Sequence, residues 1–149
     1  MHEKRDIFEE LMGLPVLRLF LPFYRRHREA LLYLFFGVLT TAVSWGSFYL
    51  LCYPLAMNEL IANALSWVVA VLFAFFTNRT WVFTARGNPL REMVLFFGAR
   101  LTTLGIEEAL LFLLVTRLGL EAMIVKIAGN LLVLVLNYVF SKRIVFRKH

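Results

Sequence analysis

Three charged side chains interrupt the apolar segment 95–114, LFFGARLTTLGIEEALLFLL, and they are Arg100, Glu107 and Glu108. A helix of about 20 residues crosses the hydrocarbon core of a bilayer, where each charge costs a few kcal/mol. Arg100 and Glu107 share a helix face, because seven residues make nearly two turns. Each carboxylate must therefore be protonated, paired with Arg100 or Lys126, or placed in a wet cavity.

A second polar stripe lies in segment 122–140, which contains Lys126, Asn130 and Asn137. Steps of four and eleven residues keep these three side chains on one side of a helix. Lys126 is near one end of its segment, where it either extends to the headgroups or faces an anionic ligand. In segment 58–78, Asn63 is an amide that bonds either a neighbouring helix or the hydroxyl of a substrate.

The composition identifies the elements that must position these side chains. Hydrophobic residues make up 60% of the 149 residues and aromatic residues 15%, well above the apolar share of a soluble domain. We therefore predict an all-α integral membrane protein with four transmembrane helices. Their expected ranges are 31–53, 58–78, 93–116 and 122–140.

The cations predict the orientation of the spans. The formal net charge is +6, and the cations gather before residue 31, between residues 78 and 93, and after residue 140. Only Arg117 falls in the opposite turns, so both termini are expected in the cytoplasm. Cations that flank apolar spans are unlike the solvated patch of a nucleic-acid binder, and no nucleic-acid partner is expected.

The first 30 residues mix basic and apolar clusters, which predicts an amphipathic segment lying on anionic lipid headgroups. This segment, 1–30, is followed by a predicted transmembrane domain, 31–149.

Two motifs recur with a period of about 62 residues. FFGVLTT at 35–41 returns as FFGARLTT at 96–103, and NRTWVF at 78–83 returns as SKRIVF at 141–146. Each unit holds two spans, so we predict two parallel two-helix repeats. The intramembrane charges belong to the second repeat, where the site is expected, with Glu107 or Glu108 facing Lys126.

Enzyme chemistry has little support in the sequence. His2, His27 and His149 lack metal-ligand spacing, and the single cysteine, Cys52, excludes an internal disulfide and has no nucleophile–base pattern around it. No metal site, cofactor or catalytic residue is predicted.

The motifs G-x-x-T-T at 37–41, N-R-x-W-V-F at 78–83 and L-N-Y-x-x-S-K-R-x-V-F at 136–146 resemble the GtrA-like family of small bacterial membrane proteins. The resemblance covers about 31–147 and implies translocation of polyprenyl-phosphate-linked sugars across the cytoplasmic (inner) membrane, for polysaccharide glycosylation outside. The matching positions are Gly37, Thr41, Asn63, Asn78, Arg79, Trp81, Phe83, Lys126, Asn137, Arg143 and Phe146. Ile144 departs from the pattern, since the first repeat has Trp81 at that place.

For such a substrate the two polar stripes, faced by Asn63 and Trp67, predict a groove for the head group. The expected phosphate ligands are the cations Lys126, Arg100, Arg79 and Arg143. The expected head-group contacts are Asn63, Trp67, Glu107, Glu108, Asn130 and Asn137. A homodimer is expected, because the four spans of one chain are too few to enclose a head group.

Two other functions stay open at this stage. A small proton-coupled exporter also uses membrane carboxylates. A membrane anchor that recruits a glycosyltransferase would depend on the basic N-terminal segment.

Overall fold

The computed structural model describes residues 7–147, and this part of the chain contains helices and no strand, which confirms the all-α prediction. Residues 1–6, 148 and 149, and with them His2 and His149, lie outside the described residues. The α-helices are α1 (Ile7–Met12), α2 (Leu21–Cys52), α3 (Glu59–Thr77), α4 (Pro89–Leu111) and α5 (Ala122–Phe140). Short helical turns follow or precede them: a 3-10 turn at Arg18–Phe20 and π turns at Asn78–Val82, Phe112–Arg117 and Ser141–Val145.

Three helical stretches among the described residues are long and apolar enough to cross a membrane: Arg18–Cys52, Glu59–Val82 and Ala122–Val145. Large apolar side chains such as Val38, Trp45 and Ile124 are exposed along them, as expected for helix faces that contact lipid. The chain is therefore a multi-pass membrane protein. Helix α4 with its π turn has a similar length but carries more charge, and it is not among the three.

The 3-10 turn at Arg18–Phe20 joins the first long helix without a loop. Helix α2 begins at Leu21 with Pro22 in its first turn, a position that tolerates the missing N–H of proline. The helix is kinked at His27, whose φ of −117° and ψ of 19° are not helical. Helix α1 packs back on α2 through the ring of Phe8, which meets Phe35 edge-on at 5.7 Å.

An aromatic cluster joins the helices at one end of the bundle. Phe75 of α3 and Phe96 of α4 are both 1% exposed, and their ring centroids are 5.7 Å apart. Phe83 and Phe146, which follow the first and last π turns, stack at 5.3 Å. Phe146 also lies 5.9 Å from both Phe75 and Phe96. The two motif endings of the repeat therefore meet in one core.

The connection from α3 to α4 is fixed by Arg79. Its Nε lies 2.7 Å from Glu92 Oε2, and a terminal nitrogen donates to the carbonyl oxygen of Gly87 at 2.9 Å. Asn88 caps α4 by accepting from the backbone N–H of Leu90. A Cβ at Gly87 would clash with the carboxylate of Glu92, so a side chain at this position would disturb the ion pair.

The aromatic cluster predicts a large difference between two adjacent phenylalanines. Phe75→Ala removes a buried ring and leaves a cavity, so we expect a loss of roughly 3 kcal/mol in the free energy of unfolding. Phe76→Ala is the matched control, because Phe76 is 57% exposed and its loss leaves no cavity. Thermal unfolding of the detergent-solubilised protein, followed by tryptophan fluorescence, measures both. Equal midpoints for the two variants would contradict the described core.

Candidate functional site

A cavity of about 380 Å³ lies between α2, α4 and α5, beside the π turn that follows α3. Helices α2 and α5 form its long walls, while α4 contributes Arg100 and the π turn contributes Asn78. Its polar lining consists of Tyr33, Thr40, Thr41, Asn78, Arg100, Asn130 and Asn137. The apolar residues at its border, Leu34, Val38 and Leu134, are exposed, so the cavity borders the surface that faces lipid.

Arg100 is the cation of this cavity. Its guanidinium donates to the hydroxyl oxygen of Tyr33 at 3.5 Å and lies 4.9 Å from the ring centroid of Phe96. No carboxylate forms an ion pair with Arg100 in the part of the chain that the structure describes. An aromatic face stabilises a cation without neutralising it. Arg100 is therefore available to pair with an anion that enters the cavity.

Asn78 supplies a buried acceptor in the same place. The residue is 3% exposed, and among the described residues its Oδ1 has no hydrogen-bond partner. A buried acceptor left without a donor costs about 1–3 kcal/mol. A hydroxyl donor that reached this oxygen would offset that cost.

A buried hydrogen bond sets the position of the α5 wall. Thr103 is 1% exposed and Asn137 is 6% exposed, and the hydroxyl of Thr103 donates to Asn137 Oδ1 at 2.9 Å. Because the amide oxygen is occupied, the NH₂ group of Asn137 is the part that remains for a ligand. Asn130, two turns earlier on α5, extends the same polar wall.

Lys126 forms an ion pair with Glu107, and its Nζ lies 2.7 Å from Oε1 of that carboxylate. The expectation that Glu107 or Glu108 faces Lys126 is met by Glu107, whereas Glu108 is exposed. The possibility that Arg100 pairs with Glu107 is wrong for the described structure. The Lys126 side chain is 48% exposed and that of Glu107 12%, and neither residue lines the cavity.

The other predicted site residues lie elsewhere. Asn63 is exposed, and Trp67 packs edge-on against Phe97 at 6.0 Å, so neither borders the cavity. Arg79 is engaged by Glu92 in the α3–α4 connection. Arg143 is exposed on the last π turn. Of the predicted set, the structure brings Arg100, Asn130 and Asn137 into one cavity.

Three polar residues of the first repeat also line this cavity. The sequence indicated helix packing for Thr40 and Thr41 and interface anchoring for Asn78. Thr40 and Thr41 donate to the carbonyl oxygens of Phe36 and Gly37, which leaves each hydroxyl oxygen as an acceptor toward the cavity. Asn78, at the end of α3, is the third. The internal repeat held a signal for two of them, because Thr40 and Thr41 correspond to Thr102 and Thr103 beside Arg100.

The described residues contain no group of three or more histidine, cysteine or carboxylate side chains that could hold a metal ion. In the cavity, the guanidinium of Arg100 lies among amides and hydroxyls and has no carboxylate partner in the described part of the chain. Such a set binds an anionic group and hydroxyls together.

Comparison with known proteins gives the relatives of this chain. The teichoic acid glycosylation protein GtcA of Listeria monocytogenes is 40% identical over 121 residues, which cover 78% of this chain and 83% of that protein. A prophage bactoprenol-linked glucose translocase homolog of Escherichia coli is 34% identical over 113 residues, covering 74% and 88%. The bactoprenol-linked glucose translocase of Salmonella phage P22 is 31% identical over 111 residues, again covering 74% and 88%.

A family model of the transmembrane domain shared by GtrA and DPMS proteins matches residues 32–146. The match contains all three motifs on which the resemblance was based, and that prediction is confirmed. The chain belongs to the GtrA/DPMS transmembrane-domain family.

Proposed function

We propose that this protein translocates a polyprenyl-phosphate-linked sugar across the bacterial cytoplasmic membrane and is not an enzyme. One observation carries the proposal: an arginine that has no counter-ion among residues 7–147 lies among amides and hydroxyls in a cavity that borders lipid. Relatives named as bactoprenol-linked glucose translocases and as a teichoic acid glycosylation protein support the same substrate class.

Each part of the proposed substrate has a matching surface. Arg100 would bind the phosphate, because a guanidinium presents several donors to phosphate oxygens in a fixed geometry. Asn78, Asn130 and Asn137 would bind sugar hydroxyls. The exposed apolar border of Leu34, Val38 and Leu134 lets the prenyl chain stay in lipid while the head group is inside.

The polar face of α5 gives the head group a path. Asn137, Asn130 and Lys126 share this face, and the eleven residues between the first and last rise about 16 Å. That distance is about half the hydrocarbon thickness of a bilayer. Beyond the cavity, the phosphate would replace Glu107 as the partner of Lys126 and then leave on the opposite side.

The proposal includes a four-span topology. Helix α4 would be the fourth span, because α5 covers its charged face through the Thr103–Asn137 and Glu107–Lys126 contacts. The four spans would form two parallel two-helix repeats with both termini in the cytoplasm, as the distribution of cations indicates. The sugar would then reach membrane glycosyltransferases that act on the outer side, and the translocator would work as a homodimer.

Arg100→Gln is the first test of the cavity. We expect transfer of a labelled polyprenyl-phosphate sugar in proteoliposomes to fall at least tenfold, because the phosphate loses its cation inside the bundle. Arg117→Gln is the control, since Arg117 is exposed at the other end of α4. The thermal unfolding midpoint of each variant confirms that the bundle is intact.

Two results would contradict the proposal. If Arg100→Gln transfers the substrate at the rate of the unchanged protein, the cavity has no role in transfer. The second result is that the unchanged protein transfers no substrate by itself but supports glycosylation once a glycosyltransferase is added. The protein would then be a membrane anchor for that enzyme.

The Lys126–Glu107 pair gives a second prediction through a double-mutant cycle. We expect Lys126→Gln to lower transfer about tenfold or more, and we expect Lys126→Gln with Glu107→Gln to stay as low, because the phosphate still lacks the ammonium. If the pair were purely structural, neutralising both partners would remove the unpaired charge and recover transfer. Transfer rate and unfolding midpoint, measured on the two single variants and the double variant, separate these outcomes.

A further inference from the structure

A second cavity, of about 420 Å³, lies at the kink of α2. We call its charged lining the cationic elbow, which consists of Arg25, Arg26, Arg28 and Lys142 together with Glu29. The lining holds four cations and one carboxylate, and Glu9 of α1 pairs with one of the four cations. Its α2 residues precede the part of the chain that matches the family, which starts at residue 32.

The kink at His27 places three arginines around one opening. Arg28 donates to the carbonyl oxygens of Trp81 and Val82, at 3.0 and 3.4 Å, which fixes this end of the elbow on the π turn after α3. Arg25 is held by Glu9 of α1, with Nε 2.7 Å from Oε1. Arg26 is exposed and forms no ion pair among the described residues.

Lys142 faces these arginines from the last π turn. Its ammonium pairs with Oε2 of Glu29 and lies 3.5 Å from the hydroxyl of Tyr138. The Lys142 side chain is 49% exposed, so an incoming anion can reach it from outside. Glu29 is therefore the carboxylate with which an incoming anion would compete for Lys142.

Two tyrosines connect the elbow with the Arg100 cavity. Tyr138 lines the elbow, and its ring meets the ring of Tyr33 edge-on at 5.3 Å. Tyr33 lines the other cavity and accepts a hydrogen bond from Arg100. A phosphate that leaves Lys142 would therefore pass the hydroxyl and aromatic groups of Tyr138 and Tyr33 before it reaches Arg100.

We propose that the cationic elbow is the entry site for the phosphate of the lipid-linked substrate, at the level of the cytoplasmic headgroups. Lys142 and Arg26 bind the phosphate, and Glu29 is the internal anion that the phosphate displaces from Lys142. This inference rests on the proposed function and deepens it, because it separates capture at the elbow from transfer through the Arg100 cavity. The phosphate of an ordinary anionic phospholipid has the same chemistry, so the experiment distinguishes the two lipids.

Binding of a polyprenyl phosphate to the purified full chain in detergent tests the entry site without requiring transfer. Native mass spectrometry over a lipid titration gives the dissociation constant. We expect Lys142→Gln to raise it about tenfold, because a charge-assisted contact is lost. We expect Glu29→Gln to lower it, since the phosphate no longer competes with a carboxylate, and Lys142→Arg to restore it. Arg86→Gln, which removes an exposed cation from the α3–α4 connection, is the control and should change nothing.

Three outcomes would overturn the entry site. The first is an unchanged dissociation constant in Lys142→Gln. The second is weaker binding in both Lys142→Gln and Glu29→Gln, which indicates an ion pair that only holds α2 against the last π turn. The third is displacement of the polyprenyl phosphate by an equal amount of phosphatidylglycerol, which makes the elbow a general phospholipid contact.

Transfer measurements keep this inference separate from the proposed function. With an intact entry site, Lys142→Gln should transfer slowly at low lipid concentration and near the normal rate at saturation, whereas Arg100→Gln stays slow at both. Normal binding and transfer in Lys142→Gln would reject the elbow while leaving the translocator in place. Lipid binding at the elbow without transfer by the unchanged protein would reject the translocator.

Discussion

The polar side chains of α4 impose the constraint on which the bundle depends. In the proposed four-span topology α4 lies in hydrocarbon, where an unsatisfied polar group costs several kcal/mol, so this face must be covered by protein. Helix α5 covers it through the Thr103–Asn137 hydrogen bond and the Glu107–Lys126 ion pair. Arg100 donates to the hydroxyl oxygen of Tyr33 and lies over the ring of Phe96. Because these partners hold its position without neutralising it, the same constraint that orders the helices also leaves one cation for a ligand.

The sequence predicted long helices and the residues that share a face. Apolar length identified the three stretches that are long and apolar enough to cross a membrane. A spacing of four and eleven residues placed Lys126, Asn130 and Asn137 on one side of α5, where the structure has two of them in the cavity. The direction in which a face points is a different matter, because it depends on how the helices pack. That is why Asn63 and Trp67 of α3 were expected at the groove, although no α3 residue lines the cavity and only Asn78, on the π turn after α3, reaches it.

The ion-pair partner of Glu107 also depends on helix packing, which the sequence pattern does not determine. Arg100 and Glu107 share a helix face, but seven residues separate them by about 10 Å along the axis, too far for a direct ion pair without extended side chains. Lys126 lies on another helix, and only the packing of α4 against α5 brings its Nζ to 2.7 Å from the carboxylate. Sequence periodicity defined the two candidate partners, whereas tertiary packing decided between them.

The internal repeat explains why one wall of the cavity is charged and the other is not. The two motifs give similar helices, but the first contributes Gly37, Thr40 and Thr41, and the second contributes Arg100. A site that moves an anion must bind it well enough to admit it and weakly enough to release it. Cations on both walls would hold a phosphate more tightly, while a cavity without a cation would offer it no counter-charge. One arginine opposite a neutral wall lies between these two cases, so the divergence between the repeats suits the cavity to the proposed transport.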